Sequence, residues 1–252
     1  MTSVTLVGVD CASDPANVGL AFGVFDGLGT TVHEACRGSR SESPLDMIAD
    51  RLGQSDSPIL LAMDAPLGWP QPMAEALAEH RAGDPLVSDA NTLFRRYTDL
   101  FAWRRIGKRP LDVGAERIAR TAHAALRLLE GLRLRLNREI TLAWSPEFTQ
   151  CRAIEVYPAG TLTAHGIASR GYKAKEGAAA RHAILRQVST RITVDTDVPD
   201  MARGSDVLDA VICLLSAHDF LTGAALPPPP DCPAFKEGWI WIRAPVKSRW
   251  PD

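Results

Sequence analysis

Four aspartates border apolar segments of this chain in a pattern that could hold a metal ion. Asp10 and Asp64 each close an apolar, strand-like run, and Asp206 and Asp209 open a helix-like run that continues Ala-Val-Ile-Cys-Leu-Leu. Carboxylates beside a core cost free energy unless a positive group meets them. Because proteins bind hard divalent cations with several oxygen ligands from different elements, the pattern predicts a metal site.

The pair Asp206 and Asp209 is the most informative part of this pattern. Residues three apart share one face of a helix, and a helix that is apolar nearly all round is a buried one. Ser205 could cap this helix, and the helix dipole stabilises an aspartate in the first turn, so a capping role for Asp206 is an open alternative. Asp209 lies one turn further in, where the dipole helps less, and therefore carries more weight.

Other side chains limit which metals and reactions the sequence favours. Glu155, on the apolar segment 152–156, is a further candidate ligand or base, with a water-facing position on an edge strand as the alternative. The six histidines form no His-x-x-x-His pair, and no Gly-x-x-x-x-Gly-Lys-Ser/Thr loop occurs, which disfavours zinc, triad and P-loop chemistry. Oxygen ligands alone favour Mg²⁺ or Mn²⁺, and two such ions suit in-line displacement at phosphorus.

The elements that must position these residues follow from the apolar periodicity. Strands at 4–10, 17–25 and 30–35 predict an antiparallel meander, followed by a helix at 44–52 and a strand at 59–64. The later predicted elements are a strand at 152–156, helices at 175–190 and 206–221, and a strand at 238–242. This order predicts a mixed α/β sheet flanked by helices, in one domain over residues 1–252.

A helical insertion is predicted at about residues 70–150, after the strand that carries Asp64, with helices at 72–81 and 116–136. Between residues 91 and 138 there are twelve Lys or Arg and four Asp or Glu, although the whole chain has a net charge of −2. An insertion at the carboxyl end of a strand lies over the usual active-site edge, so we expect this basic segment to face the acidic cluster. The alternative is a solvated, Arg-rich helical face.

The bulk composition of the 252 residues indicates an ordinary globular protein. No apolar run reaches the roughly 18 residues of a membrane span, and no basic segment followed by an apolar signal region occurs at the start. The five cysteines are odd in number and far apart, which is typical of reduced thiols. We therefore expect a cytoplasmic protein that does not enter a membrane.

Ordered motifs along the chain carry a resemblance to a known family. They are Gly-Val-Asp10, Met-Asp64-Ala-Pro-Leu-Gly, Arg96-Tyr-Thr-Asp99, Gly107-Lys-Arg-Pro-Leu-Asp-Val-Gly114, Glu155-Val-Tyr-Pro-Ala, Gly171-Tyr-Lys173, Asp206-x-x-Asp209-Ala and Glu237-Gly-Trp-Ile. The chain resembles the uncharacterised predicted RNase H-like nuclease family (domain of unknown function 429). The resemblance implies an RNase H-like sheet of five strands with an antiparallel second strand. RuvC-type resolvases of that superfamily use a similar acidic set, which implies that Asp10, Asp64, Asp206 and Asp209 are metal ligands.

The leading hypothesis is a Mg²⁺- or Mn²⁺-dependent phosphodiester hydrolase that acts on nucleic acid or a phosphorylated small molecule. Asp10 and Asp209 would hold the metal, with Asp64 and Asp206 completing its shell. Glu155 would be a further ligand or a base, and Arg96 and Lys173 would contact phosphate. The alternatives are a non-catalytic RNase H-like module that binds nucleic acid or a nucleotide, and an actin-like or sugar-kinase-type enzyme that uses ATP. The sequence does not specify an oligomeric state.

Overall fold

A mixed sheet of seven strands forms the centre of the computed structural model, which describes residues 3–53, 57–114, 116–195 and 204–246. The strands are β1 (Val4–Asp10), β2 (Gly19–Phe25), β3 (Thr30–Arg37), β4 (Ile59–Asp64), β5 (Ile140–Leu142), β6 (Cys151–Glu155) and β7 (Thr193–Val194). Their order across the sheet is β5-β6-β4-β1-β2-β3-β7. β2 is antiparallel to β1 and β3, and the other four neighbouring pairs are parallel. The prediction of a mixed sheet with an antiparallel second strand is confirmed.

The sheet is larger than the five strands that the sequence led us to expect. The additional strands, β5 and β7, lie at the two edges and have three and two residues. Segments this short show no measurable periodicity. The predicted strand at 238–242 is wrong, because only an isolated bridge pairs Ile240 with Glu155. The backbone N–H of Ile240 donates to the Thr98 hydroxyl at 2.8 Å, so a ladder does not continue there.

Nine helices occur in the described ranges. They are α1 (Pro44–Leu52), α2 (Gln71–Leu77), α3 (Ala90–Phe94), α4 (Tyr97–Ile106), α5 (Glu116–Leu136), α6 (Pro158–Ala164), α7 (Ala178–Val188), α8 (Ser205–Leu221) and α9 (Ala234–Glu237). The bounds of α1 and α5 match their predictions. Ser43 caps α1 by accepting the N–H of Asp46, and Pro44 supplies the fixed φ of a first helical residue. None of the helices in these ranges has the length and apolar character needed to cross a membrane.

Helices cover both faces of the sheet, and alternation along the strands decides which side chains meet which layer. Leu6 and Leu60 face the layer built around α8, whereas Val7 and Leu61 face the layer of α1 and α5. α8 is buried nearly all round, as its apolar composition predicts. The same alternation places Asp10 and Asp64, which share the parity of Leu6 and Leu60, on the α8 side.

The predicted helical insertion, residues 70–150, contributes to several parts of the molecule. Its longest helix, α5, packs against α1 and forms part of the core on one sheet face, and its last element, β5, extends the sheet. α4 packs against α6 and α9, close to the carboxyl end of β6. The insertion therefore combines a structural layer with a smaller part that borders the edge where Asp10 and Asp64 lie.

Candidate metal centre

Strands β1 and β4 bring two of the predicted aspartates side by side. The strands are neighbours and parallel, and Asp10 is the register partner of Asp64. Both runs are rich in buried Val, Leu and Ile and end on their only carboxylate. Since parallel strands that start in register also end in register, the two side chains leave the sheet at the same edge and on the same face.

Helix α8 adds Asp209 because its backbone lies unusually close to the sheet. A Cβ at Gly8 would lie 2.1 Å from the carbonyl oxygen of Ala210, and one at Gly19 would lie 2.0 Å from that of Asp206. Both strand positions therefore require glycine, which leaves room for the first turns of the helix. This contact places the buried Asp209 directly over the ends of β1 and β4.

The three carboxylates form a compact group. One oxygen from each of Asp10, Asp64 and Asp209 lies within 4.8 Å of the other two. Asp209 also accepts a hydrogen bond at 2.7 Å from the Tyr172 hydroxyl and forms an ion pair at 2.8 Å with the Lys173 ammonium. The hydrogen bond orients Oδ1 of Asp209, and the Lys173 ammonium lies beside Oδ2.

Burial and mutual repulsion raise the pKa values of the group. Burial raises the pKa of Asp10 well above its ordinary value, and the neighbouring Asp209 and Asp64 carboxylates raise it further. Burial likewise raises the pKa of Asp64 to about 7, with Lys173 opposing the shift, and raises the pKa of Asp209. The site thus disfavours three ionised carboxylates unless additional positive charge is present.

The donor set fits a hard divalent cation. Three carboxylates face one ammonium, so two negative charges are uncompensated when all three acids are ionised. No histidine belongs to the group among the residues that the structure describes, and an all-carboxylate set is what Mg²⁺, Mn²⁺ and Ca²⁺ prefer. Asp10, Asp64 and Asp209 could therefore hold a metal ion.

Asp206, the fourth predicted ligand, lies outside this group. Its Oδ2 forms an ion pair at 2.8 Å with Arg37 at the end of β3, and its Oδ1 accepts a hydrogen bond from Ser205. It is close enough for its charge to raise the pKa of Asp10 and Asp209. Arg37 gave no signal in the sequence, because its partner is far along the chain.

Glu155 and Arg96 lie together in the interior, outside the group of three aspartates, although the Glu155 charge contributes to the raised pKa of Asp64. The Arg96 guanidinium donates to Glu155 through Nη1 at 2.8 Å and Nη2 at 2.6 Å. It donates to Asp99 through Nε at 3.2 Å and again through Nη2 at 2.8 Å. Glu155 also accepts the N–H of Leu67 at 2.9 Å. Its register partner is Met63, one residue before Asp64, so its side chain projects to the opposite sheet face. This buried network joins α4 to β6.

Lys173 is the predicted phosphate contact that does reach the cluster. Its side chain is 55% exposed, and its ammonium lies beside Asp209. Burial lowers the pKa of Lys173, but the Asp209 and Asp64 carboxylates more than offset this, so the pKa is raised. Tyr172 is the functional candidate that sequence reasoning missed, although it stands directly before Lys173 in a motif of the family.

A comparison with protein families identifies the family of this chain. No curated protein matches the chain. The sequence model of a family described as "Protein of unknown function (DUF429)" matches residues 8–233. The matched part includes Asp10, Asp64 and Asp209 and extends from β1 to the residue before α9. Because the match covers well over half of the 252 residues, the chain belongs to this family of proteins of unknown function.

Proposed function

We propose that this chain is a Mg²⁺- or Mn²⁺-dependent phosphodiester hydrolase that acts on nucleic acid or on a phosphorylated small molecule. The observation that carries the proposal is the convergence of Asp10, Asp64 and Asp209, each of which offers an oxygen within 4.8 Å of the others. A hard cation in such a site polarises a phosphate ester and lowers the pKa of a bound water. The protein side chains would hold the cation and orient the groups around it.

The sheet supports an RNase H-like fold as part of this proposal. β1, β2, β3, β4 and β6 lie next to one another in the order β6-β4-β1-β2-β3, with β2 antiparallel to the other four. This agrees with the five-stranded arrangement that the family resemblance implies. β5 and β7 would then be additions at the two edges.

Each residue at the site has a proposed role that its contacts support. Asp10, Asp64 and Asp209 supply the ligand oxygens, and the Tyr172 hydroxyl orients Asp209. Lys173, half exposed and already at the site, would bind a phosphate oxygen of the substrate. Asp206 would contribute through its charge and its pairing with Arg37, since the structure leaves it outside the group of three.

The ion pair between Lys173 and Asp209 favours a second candidate, a non-catalytic binding module. The Lys173 ammonium partly neutralises the three carboxylates. A chain that never binds metal could therefore retain these carboxylates for structural reasons. In that case the same surface would bind nucleic acid or a nucleotide without cleaving it.

One experiment separates the two candidates. Mn²⁺ is titrated into the metal-free chain and bound ion is measured by electron paramagnetic resonance, and cleavage is then assayed on oligonucleotides and on bis(p-nitrophenyl) phosphate. The hydrolase proposal requires stoichiometric Mn²⁺ binding and metal-dependent cleavage of at least one substrate. Absence of bound Mn²⁺ at millimolar concentration, with no thermal shift, would overturn the hydrolase and favour the binding module.

A cytoplasmic location is also part of the proposal. All five cysteines are free thiols in the structure. Unpaired cysteines are typical of reducing compartments, where an all-oxygen metal site is also compatible with the available Mg²⁺.

A further inference from the structure

Two surface segments beside the carboxylate cluster are strongly cationic. The sequence contains no Asp or Glu in residues 100–111 or 165–175. They hold seven Lys or Arg residues, and six of these, here called the cationic rim, are Arg104, Lys108, Arg109, Arg170, Lys173 and Lys175. All are exposed except Lys108, which is half-buried. Lys173 is paired with Asp209, and in the described part of the chain none of the other five forms an ion pair with a carboxylate. Such a charge excess on an acidic protein indicates a polyanionic ligand.

Contacts join the two segments to each other and to the cluster. The Lys108 ammonium donates to the Ser169 hydroxyl at 3.5 Å, next to Arg170. The Tyr157 hydroxyl donates to the carbonyl oxygen of Arg109 at 3.3 Å. Burial raises the pKa of Tyr157 to about 12, and the nearby Asp64 carboxylate contributes to the increase. Lys173 thus brings one segment to the carboxylate cluster, and Tyr157 lies between the other segment and Asp64.

An exposed aromatic ring lies within this rim. The side chain of Trp103, near the end of α4, is 44% exposed. The Arg109 guanidinium lies over the Trp103 ring, 5.2 Å from its centroid. An aromatic ring with flanking cations is the usual platform for an unpaired base.

We propose that the cationic rim and Trp103 bind single-stranded nucleic acid, with a base stacked on Trp103 and successive phosphates along the rim toward the carboxylate cluster. The inference deepens the proposed function and rests on it for the position of the cleaved bond, because it makes the substrate a polynucleotide instead of a small phosphoester. A duplex does not offer an unpaired base to Trp103, so a single strand is the better ligand. An acidic peptide would satisfy the charges but would leave the indole without a stacking partner.

The test measures fluorescence anisotropy of labelled single-stranded DNA and RNA, each about 20 nucleotides long to exceed one binding site. The full chain is used in EDTA, so that binding is independent of metal. We expect both strands to bind and a blunt duplex and poly-glutamate to bind at least about tenfold more weakly. Equal binding of the duplex or of poly-glutamate would overturn the inference.

Strand binding by variants tests whether the cationic rim and Trp103 form the binding surface. Combined Arg104→Ala and Arg109→Ala should weaken binding about tenfold and reduce the slope of log affinity against log salt by about 1.4, since each lost contact to a single strand contributes about 0.7. Trp103→Ala should weaken binding about fivefold or more, and Trp103→Phe should restore most of it. The matched controls are Arg135→Ala, an exposed arginine on α5 paired with Asp50, and Phe235→Ala, an exposed ring on α9. Losses in the controls equal to those in the rim would overturn the inference.

Mn²⁺ binding by the same preparations distinguishes the two proposals. A chain that binds Mn²⁺ but no strand would overturn this inference and leave a hydrolase of small phosphoesters. A chain that binds the strand in EDTA but no Mn²⁺ would support this inference and overturn the hydrolase. The melting temperature of each variant should equal that of the parent. A loss of affinity is then caused by the changed surface and not by unfolding.

Discussion

Asp10 and Asp64 are register partners, each the last residue of its strand in the parallel pair β1 and β4. This single relationship determines most of the site. Two carboxylates at one edge and on one face repel each other, and α8 brings a third, Asp209, against them. A cluster of this kind is stabilised in two ways, by protonation of a carboxylate or by a bound cation.

Replacement of a central ligand should abolish metal-dependent cleavage while the fold is preserved. Asp10→Asn and Asp209→Asn each remove one anionic ligand, so we expect Mn²⁺ affinity to fall at least about tenfold and activity to be lost. Asp206→Asn is the matched control, because Asp206 is paired with Arg37 outside the group. Titration calorimetry and an oligonucleotide cleavage assay measure both effects. An equal loss in the control would place Asp206 among the ligands.

Removal of the Lys173 ammonium should strengthen metal binding. Lys173 and a divalent cation compete for Asp209, so Lys173→Met should raise Mn²⁺ affinity about threefold to tenfold, the modest size reflecting the exposure of the side chain. Cleavage should fall nevertheless if Lys173 binds substrate phosphate. Lys236→Met, an exposed lysine on α9 outside the cationic rim described above, is the control. A weaker Mn²⁺ affinity in Lys173→Met would contradict the competition.

The metal-free chain should lose stability as the pH rises toward neutrality. The pKa of Asp64 is about 7 in the folded chain against an ordinary value of 3.8, so between these values the folded state holds more protons than the unfolded state. The free energy of unfolding therefore decreases with increasing pH across this window. Asp64→Asn removes the group, and in EDTA at pH 8 its Tm should exceed that of the parent by about 3 °C or more, with no gain below pH 3.8.

Addition of Mn²⁺ at pH 8 provides the internal control for that measurement. A cation that binds the folded state raises the Tm of the parent, which keeps all three carboxylates, more than that of Asp64→Asn. The order of the two melting temperatures should therefore reverse. A parent chain whose Tm in EDTA is independent of pH would show that the cluster is not under electrostatic strain.

Glu155 should matter to stability more than to metal binding. Glu155→Gln leaves the buried Arg96 with one fewer carboxylate, which costs about 3–5 kcal/mol when a buried pair is broken. Glu34→Gln, which breaks the surface pair of Glu34 with Arg51, should cost about 1 kcal/mol or less. Denaturant unfolding measures both. A Glu155→Gln chain that is stable but no longer binds Mn²⁺ would show that Glu155 is a metal ligand.

The part of the site that the sequence could predict is the part encoded by local pattern. The apolar runs that end at Asp10 and Asp64 are strands, and the run from Asp206 is a helix, so three of the elements and their carboxylates were identifiable. The bounds of α1 and α5 were predictable for the same reason, since both have caps or long periodicity.

The part that could not be predicted depends on register and on partners distant in sequence. Glu155 ends an apolar run just as Asp64 does, but its pairing with Met63 places its side chain on the other sheet face, and only the register reveals this. Arg96 lies in a cationic stretch that suggests a surface, but Asp99 and Glu155 surround it in the interior. Tyr172 lies in a loop, 37 positions from Asp209 in the sequence, so local periodicity cannot predict their hydrogen bond.

The close approach of α8 to β1 leads to the last prediction, a variant that acts on the site without touching a ligand. A methyl group at Gly8 would lie 2.1 Å from the carbonyl oxygen of Ala210, so Gly8→Ala must displace α8 from the sheet. Overpacking of this kind costs about 1–3 kcal/mol. Because Asp209 moves with the helix, Mn²⁺ affinity should fall as well.

Gly29→Ala is the matched control for this variant. No atom lies within 4 Å of a Cβ at Gly29, in the turn between β2 and β3, so the added methyl group meets open space. Its stability and Mn²⁺ affinity should stay close to those of the parent. Denaturant unfolding and Mn²⁺ titration of both variants test the point together. A Gly8→Ala chain with parental Mn²⁺ affinity would mean that Asp209 does not need the close packing of α8 on β1 to reach Asp10.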